Sequence, residues 1–188
     1  MNKIIIITAP SGSGKTTIVR HLLERYPRLS FSVSACTRRP RPGELHKKDY
    51  YFLKEEEFKQ KIREDAFLEW EMVYTGKYYG TLKAELERIW QEKRFPLVDI
   101  DVKGALNIKH QFGDRALSLF IKAPSMEALR QRLLKRGTET AETLQERLDK
   151  AAEELTFEPK FDFVVVNKEL EPAIAETINI IDHFLKEP

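Results

Sequence analysis

The run Ala9-Pro10-Ser11-Gly12-Ser13-Gly14-Lys15-Thr16 has residue types and spacing that suit the binding of phosphate. Gly12 and Gly14 let the backbone approach a ligand with no Cβ in the way, so that successive N–H groups can point at one centre. From such a loop Lys15 reaches the β- and γ-phosphates of a nucleoside triphosphate, and the Thr16 hydroxyl can ligate Mg²⁺. The run follows the Walker A pattern except that Ala9 stands where the first Gly is usual. The motif by itself goes no further than a bound nucleoside triphosphate, because GTPases, motors, transporters and small-molecule kinases share it.

Two groups of cations offer further phosphate chemistry. Arg38, Arg39, Arg41, Lys47 and Lys48 crowd one segment, and Arg130, Arg132, Lys135, Arg136 and Arg147 crowd another. Planar guanidinium forks match phosphate oxygens well, although a run such as Arg38-Arg39-Pro40-Arg41 is, taken alone, commonly an exposed basic loop. Nucleophilic and metal chemistry have less to work with. The chain shows no Ser-His-Asp or Cys-His grouping, Cys36 is the single cysteine, and His21, His46, His110 and His183 lack metal-ligand spacing.

The elements that must position these residues follow from hydrophobic pattern. Lys3–Ala9 is a β-branched run of the kind buried on both faces of a sheet, and it feeds the glycine loop directly. Lys15–Tyr26 follows with helical spacing, so loop and helix N-terminus together form an anion site. A chance glycine turn before a helix is the bland alternative, and the strand-loop-helix context argues against it. Further buried strands are expected at Phe95–Ile100, Ala116–Ile121 and Phe161–Val166, with helices at Val102–Lys109, Ser125–Arg136 and Leu170–Leu185 between and after them. This alternation predicts a parallel sheet covered by helices on both faces.

The segment from about Leu29 to Thr81 breaks the rhythm. Short strands at Phe31–Ser34, Tyr50–Leu53 and Leu68–Tyr74, one charged helix and a turn at Thr75-Gly76 suggest an inserted αβ lobe. Gly137–Leu155 reads as a charged helical hairpin with a weak apolar face, suited to a mobile lid.

Several stretches together resemble the guanylate kinase family. They are Ser34-Ala35-Cys36-Thr37-Arg38-Arg39-Pro40-Arg41-Pro42-Gly43-Glu44, Asp49-Tyr50-Tyr51-Phe52, Glu69-Trp70, Tyr78-Tyr79-Gly80-Thr81, Asp99-Ile100-Asp101 with Gly104, and Arg132, Arg136-Gly137 and Arg147. Their order and spacing cover the chain from the first strand to Asn167, with Cys36 and Lys47 as visible departures. The resemblance implies an α/β fold of the P-loop NTPase type: one domain, with core 1–32, 82–124 and 157–188, a GMP-binding lobe 33–81 and a lid 125–156. It also implies transfer of a phosphoryl group from ATP to GMP with Mg²⁺, with dGMP a further acceptor.

Residue by residue, the resemblance puts ATP on Ala9 through Thr17 (Pro10, Ser11, Gly12, Ser13, Gly14, Lys15 and Thr16 between them). It puts the acceptor phosphate on Arg38, Arg41, Tyr50 and Tyr79, and the base on Ser34, Glu69, Thr81 and Asp101. Lys15, Arg38, Arg132, Arg136 and Arg147 would serve the transferring group, and Thr16 and Asp99 the metal. Asn167 would lie at the adenine. The chemistry is coherent, since carboxylates only accept, and guanine offers donors at N1 and its exocyclic amine where adenine offers an acceptor at N1. Each assignment has a plainer rival: a solvated strand residue for Glu69, a helix cap for Asp101, an exposed helix face for Arg132 and Arg136.

Bulk properties narrow the class. With 41% apolar and 33% charged residues in 188, a folded domain is expected. A net charge of +2 is too small for a nucleic-acid partner, and no run is long enough to span a bilayer. No signal-peptide pattern is visible, so export is not expected and the cytoplasm is. No obligatory protein partner is evident. Two rivals remain open: the same fold with AMP, a pyrimidine monophosphate or another phosphorylated acceptor, and a related module that binds proteins without catalysis. Intact Lys15, Thr16, Arg38 and Arg41 speak against the second.

Overall fold

A computed structural model describes residues 2–135 and 141–186. In chain order the elements are β1 (Ile4–Thr8), α1 (Lys15–Arg25), β2 (Leu29–Phe31), β3 (Ala35–Cys36), β4 (Tyr51–Phe52), α2 (Glu55–Arg63), β5 (Phe67–Tyr74), β6 (Lys77–Leu82) and α3 (Lys83–Gln91). There follow β7 (Phe95–Asp99), α4 (Val102–Phe112), β8 (Ala116–Lys122), α5 (Met126–Lys135), α6 (Ala141–Leu155), β9 (Phe163–Val166) and α7 (Leu170–Lys186).

The main sheet is parallel throughout, in the order β2-β7-β1-β8-β9. Strand alternation divides its core between two helical layers. Ile5 and Ile7 point to Ile18, Leu22, Ile174 and Ile181 on α1 and α7, while Ile4 and Ile6 join Leu86, Val102, Ala105 and Ile108 on α3 and α4. A strand covered on both faces must be apolar at every position, which is why β1 is readable from sequence. The order reverses beside β1, so β1 and β7 end at a crevice where their following loops diverge, the usual ligand position in an open α/β sheet.

A second sheet, β4-β3-β6-β5, stands apart from the first. Its core is aromatic: Phe58 from α2 stacks on Phe67 with ring centroids 4.3 Å apart and meets Tyr78 at 5.5 Å. β5 and β6 form a hairpin closed by Thr75-Gly76, with Gly76 in the left-handed region at φ 72. The expected strand Phe31–Ser34 divides differently. Leu29–Phe31 pairs with β7 in the main sheet, and Ala35–Cys36 pairs with β4 and β6 in the second, so the chain crosses between sheets at Ser32 to Ser34.

α5 and α6 pack together through Leu129, Leu133, Leu144 and Ala151. Ser125 caps α5, its hydroxyl accepting the Ala128 N–H at 3.0 Å. Within the described residues the expected hairpin at Gly137–Leu155 is one helix, α6, and the helical pair is α5 with α6. Arg136 lies outside the described residues. No described helix is long and apolar enough to cross a membrane.

Candidate active site

The phosphate-binding loop has the shape its glycines predict. Gly12 and Gly14 sit at φ 90 and 92, where other residues are strained, and α1 opens from Gly14 with the Ile18 N–H donating to its carbonyl at 3.1 Å. Ala9, Pro10, Ser11, Gly12, Gly14, Lys15, Thr16 and Thr17 line a cavity of ≈ 670 Å³, together with Asp101, Arg132, Arg147, Lys150 and Glu154. The Lys15 ammonium is ion-paired with Asp99 and lies 3.5 Å from the Ile100 carbonyl.

The helical pair docks onto this loop. Arg132 donates to the Asn167 carbonyl at 2.7 Å and to the Ser13 carbonyl at 3.4 Å, and Arg147 donates to the Ser11 hydroxyl at 2.8 Å. Asn167 also donates from its amide to the Ser13 carbonyl at 2.8 Å. Two arginines from different helices thus reach one wall of the cavity.

An adjoining cavity of ≈ 430 Å³ is lined by Lys15, Ser34, Tyr50, Glu69, Glu71, Tyr79, Gly80, Asp99, Ile100, Asp101 and Lys150. Register explains the grouping. Glu69 pairs with Thr81 and Glu71 with Tyr79, so alternation puts all four on one face of the hairpin and leaves Trp70 and Met72 exposed on the other. The Thr81 N–H donates to Glu69 Oε1 at 2.9 Å, while the buried Thr81 hydroxyl has no partner among the described residues. Burial pushes the Glu69 carboxyl up to about 7 against the pull of Thr81, and Asp101 adds to the rise. Asp101 also caps α4, accepting the Gly104 N–H at 2.9 Å, so the structural and cavity-lining roles coexist.

At the mouth, Arg38 holds Glu44 through both guanidinium nitrogens at 2.5 and 2.7 Å and lies over the Tyr50 ring at 4.7 Å. Arg38, followed by the Arg41 N–H, holds the Glu44 carboxyl down at about 2. Tyr50 meets Tyr79 edge-on at 6.3 Å. Arg41 is exposed beside this cluster, and its N–H donates to Glu44 at 2.7 Å.

Sequence reasoning gives Glu44 no role beyond its place in the basic stretch, and it misses Glu71, Lys150 and Glu154. Glu71 stands two residues from Glu69 on a strand, and Lys150 stands three from Arg147 on a helix, so periodicity holds the signal. For a metal, no group of three or more His, Cys, Asp or Glu among the described residues forms a cage. Thr16 on the loop and Asp99 at the strand end are oxygen donors of the sort Mg²⁺ takes when phosphates and waters complete its shell, so the set fits an ion arriving with a triphosphate.

Gly80 fixes how closely the hairpin closes on Glu69. A Cβ there would lie 2.7 Å from the Glu69 carbonyl oxygen and 2.9 Å from both the Phe67 ring and Trp70 Cβ. Gly80→Ala is therefore expected to destabilise the protein by roughly 1–3 kcal/mol, read as a lower urea midpoint. An unchanged midpoint would show that the hairpin yields without cost.

The family described as guanylate kinase matches residues 1–184. Guanylate kinase from Bacteroides fragilis is 49% identical over 183 residues, covering 97% of this chain and 90% of that protein. Guanylate kinase from Salinibacter ruber is 50% identical over 182 residues, covering 97% and 96%. The crystal structure of guanylate kinase from Anaplasma phagocytophilum superposes with a TM-score of 0.79 at 30% identity, covering 99% of this chain and 87% of that one. A phosphate loop beside a carboxylate-lined second cavity, matched along nearly the whole sequence, makes this chain a member of the guanylate kinase family of nucleoside monophosphate kinases.

Proposed function

We propose that the protein converts ATP and GMP to ADP and GDP by direct in-line phosphoryl transfer, in purine nucleotide metabolism and GMP recycling. The observation that carries this reading is the pair Glu69 and Asp101 in a cavity that shares Lys15 and Asp101 with the phosphate-loop cavity. Guanine donates from N1 and its amine to such carboxylates, whereas adenine would leave them facing an acceptor, and an unmatched buried polar group is costly. Ser34 lines this cavity at the proposed ring edge, and the buried Thr81 hydroxyl, without a partner among the described residues, lies beside Glu69.

The acceptor phosphate has a second pKa of about 6, so its oxygen is already an anion near neutrality and needs no general base. That oxygen attacks the γ-phosphorus of ATP, and the bond from the γ-phosphorus to the β–γ bridging oxygen breaks, leaving ADP. Positioning and charge neutralisation do the rest. Arg38, Arg41, Tyr50 and Tyr79 hold the acceptor phosphate, which competes with Glu44 for the Arg38 fork. Lys15, Arg132 and Arg147 surround the transferring group from two sides, with Arg136 a further candidate. Mg²⁺ on Thr16 and, through water, Asp99 would offset charge on the β- and γ-phosphates. Helices α5 and α6 exclude water as a lid over residues 125–156, with 33–81 as the acceptor lobe.

The test is ADP formation from ATP with GMP, dGMP, AMP, CMP, UMP and dTMP in parallel. Dependence on GMP and dGMP supports the reading. Preference for AMP or a pyrimidine nucleotide would remove the roles given to Glu69 and Asp101, and silence with every acceptor would favour a non-catalytic binding module.

A further inference from the structure

Glu85 lies in the first turn of α3, is 2% exposed, and lines neither cavity described above. Its carboxylate nonetheless collects donors from three parts of the chain. Oε1 accepts the Val33 N–H at 3.2 Å and an Arg88 N–H at 2.9 Å; Oε2 accepts the Tyr51 hydroxyl at 2.7 Å and Arg88 Nε at 3.1 Å. Burial alone would raise this carboxyl, yet Arg88, Tyr51 and Val33 together bring it below its ordinary value. The Tyr51 hydroxyl is pushed up to about 12, by burial first and Glu85 second, and so stays a donor at any working pH.

The donors matter for where they sit. The chain leaves the main sheet at Ser32, whose N–H donates to the Leu97 carbonyl at 2.9 Å, and enters the second sheet at Ala35. Val33 and Ser34 lie between, and Ser34 lines the cavity assigned to the acceptor. Tyr51 closes the loop from the other side, its own N–H donating to the Ser34 carbonyl at 2.9 Å, and Tyr50 precedes it into the same cavity. α3 itself begins directly after Thr81 and Leu82 of β6. One buried carboxylate therefore joins both strands of chain that link the two sheets and the strand that follows Tyr50.

We propose that Glu85 is a positioning residue for the acceptor site, fixing Ser34 at the base edge and Tyr50 at the phosphate in one rigid frame through Val33 and Tyr51. This rests on the acceptor reading above. The frame touches no nucleotide, so its loss loosens acceptor geometry and leaves the phosphate loop untouched. A purely structural Glu85 would instead change stability alone.

Tyr51→Phe removes one bond of the frame at almost constant volume, and Glu85→Gln keeps one acceptor for Val33 while an amide N–H can turn to the Tyr51 oxygen. Both are compared with Glu85→Ala by steady-state kinetics, by calorimetric titration with GMP, and by thermal melts. The expected result is a rise in KM and Kd for GMP of about fivefold in Tyr51→Phe, less in Glu85→Gln, and more than tenfold in Glu85→Ala where it folds, with KM for ATP within about twofold. A lower melting temperature with GMP and ATP parameters unchanged in Tyr51→Phe and Glu85→Gln would overturn the proposal. So would equal rises for both substrates. If wild-type protein binds GMP without phosphorylating it, the activity fails and the Kd series still decides the frame; if it binds no GMP, both fail.

Discussion

Lys15→Ala is expected to lower kcat for ATP-dependent phosphorylation of GMP by about a thousandfold or more, with GMP affinity changed by less than about threefold. Lys15 is the one lysine of the phosphate loop, and it lines both cavities, so its ammonium stands where the two cavities meet. A preorganised cation at developing charge is worth on the order of 4 kcal/mol in a water-poor site. The contacts proposed for GMP, at Glu69, Asp101, Arg38 and Tyr50, do not run through Lys15 and are expected to survive its loss. The variant strands Asp99, which is paired with Lys15 and is about 21% exposed in its side chain, so some loss of stability follows, on the order of 1 kcal/mol. Steady-state kinetics and calorimetry with GMP separate these effects. Activity within about tenfold of wild type would mean that this loop does not hold the donor phosphates.

What is legible in the sequence, and what is not, divides along physical lines. β1, β7 and β8 are legible because strands buried on both faces are apolar at nearly every position, and the phosphate loop because its backbone demands Gly12 and Gly14 at positive φ. The pattern that suggests a strand at Phe31–Ser34 misses the start of β2 at Leu29. Those three residues are fixed by pairing with Phe95 to Leu97, far along the chain, which no local window contains. Ser34, Glu69, Tyr79 and Asp101 are named through a family likeness, and the fold brings them into one cavity. Glu71 and Lys150 reach the same cavity unnamed, since in a charged strand and a charged helix only their spacing from Glu69 and Arg147 separates them from solvated neighbours. Glu85 is the hardest to foresee. A glutamate in the first helical turn ordinarily complements the helix dipole in water, and only the crossing of chain at Val33 and Tyr51 buries this one.

Glu69→Gln is expected to divide function from stability. In the wild type, burial raises this carboxyl from 4.5 to about 7, with Asp101 and Glu71 adding to the rise and Thr81 opposing it. The folded chain therefore holds the proton more tightly than the unfolded one, so stability falls as pH rises from about 4.5 to about 7 and stays reduced above that. The interval corresponds to about 3 kcal/mol at a pH of about 8, a loss that an uncharged amide at this position does not suffer. Glu69→Gln should accordingly raise the urea midpoint at a pH of about 8 and leave it nearly unchanged at about 4.5. Catalysis moves the other way. An amide offers one acceptor where the carboxylate offers two, and it can donate to adenine N1, so kcat/KM for GMP should fall about a hundredfold while preference over AMP narrows. Guanine donors favour the ionised carboxylate, so wild-type affinity for GMP should climb between a pH of about 6 and about 8. The GMP phosphate ionises near about 6 and contributes its own part of that climb, which Glu69→Gln retains. The difference between the two pH profiles thus isolates Glu69, centred at about 7; coincident profiles would place the guanine somewhere other than against this carboxylate.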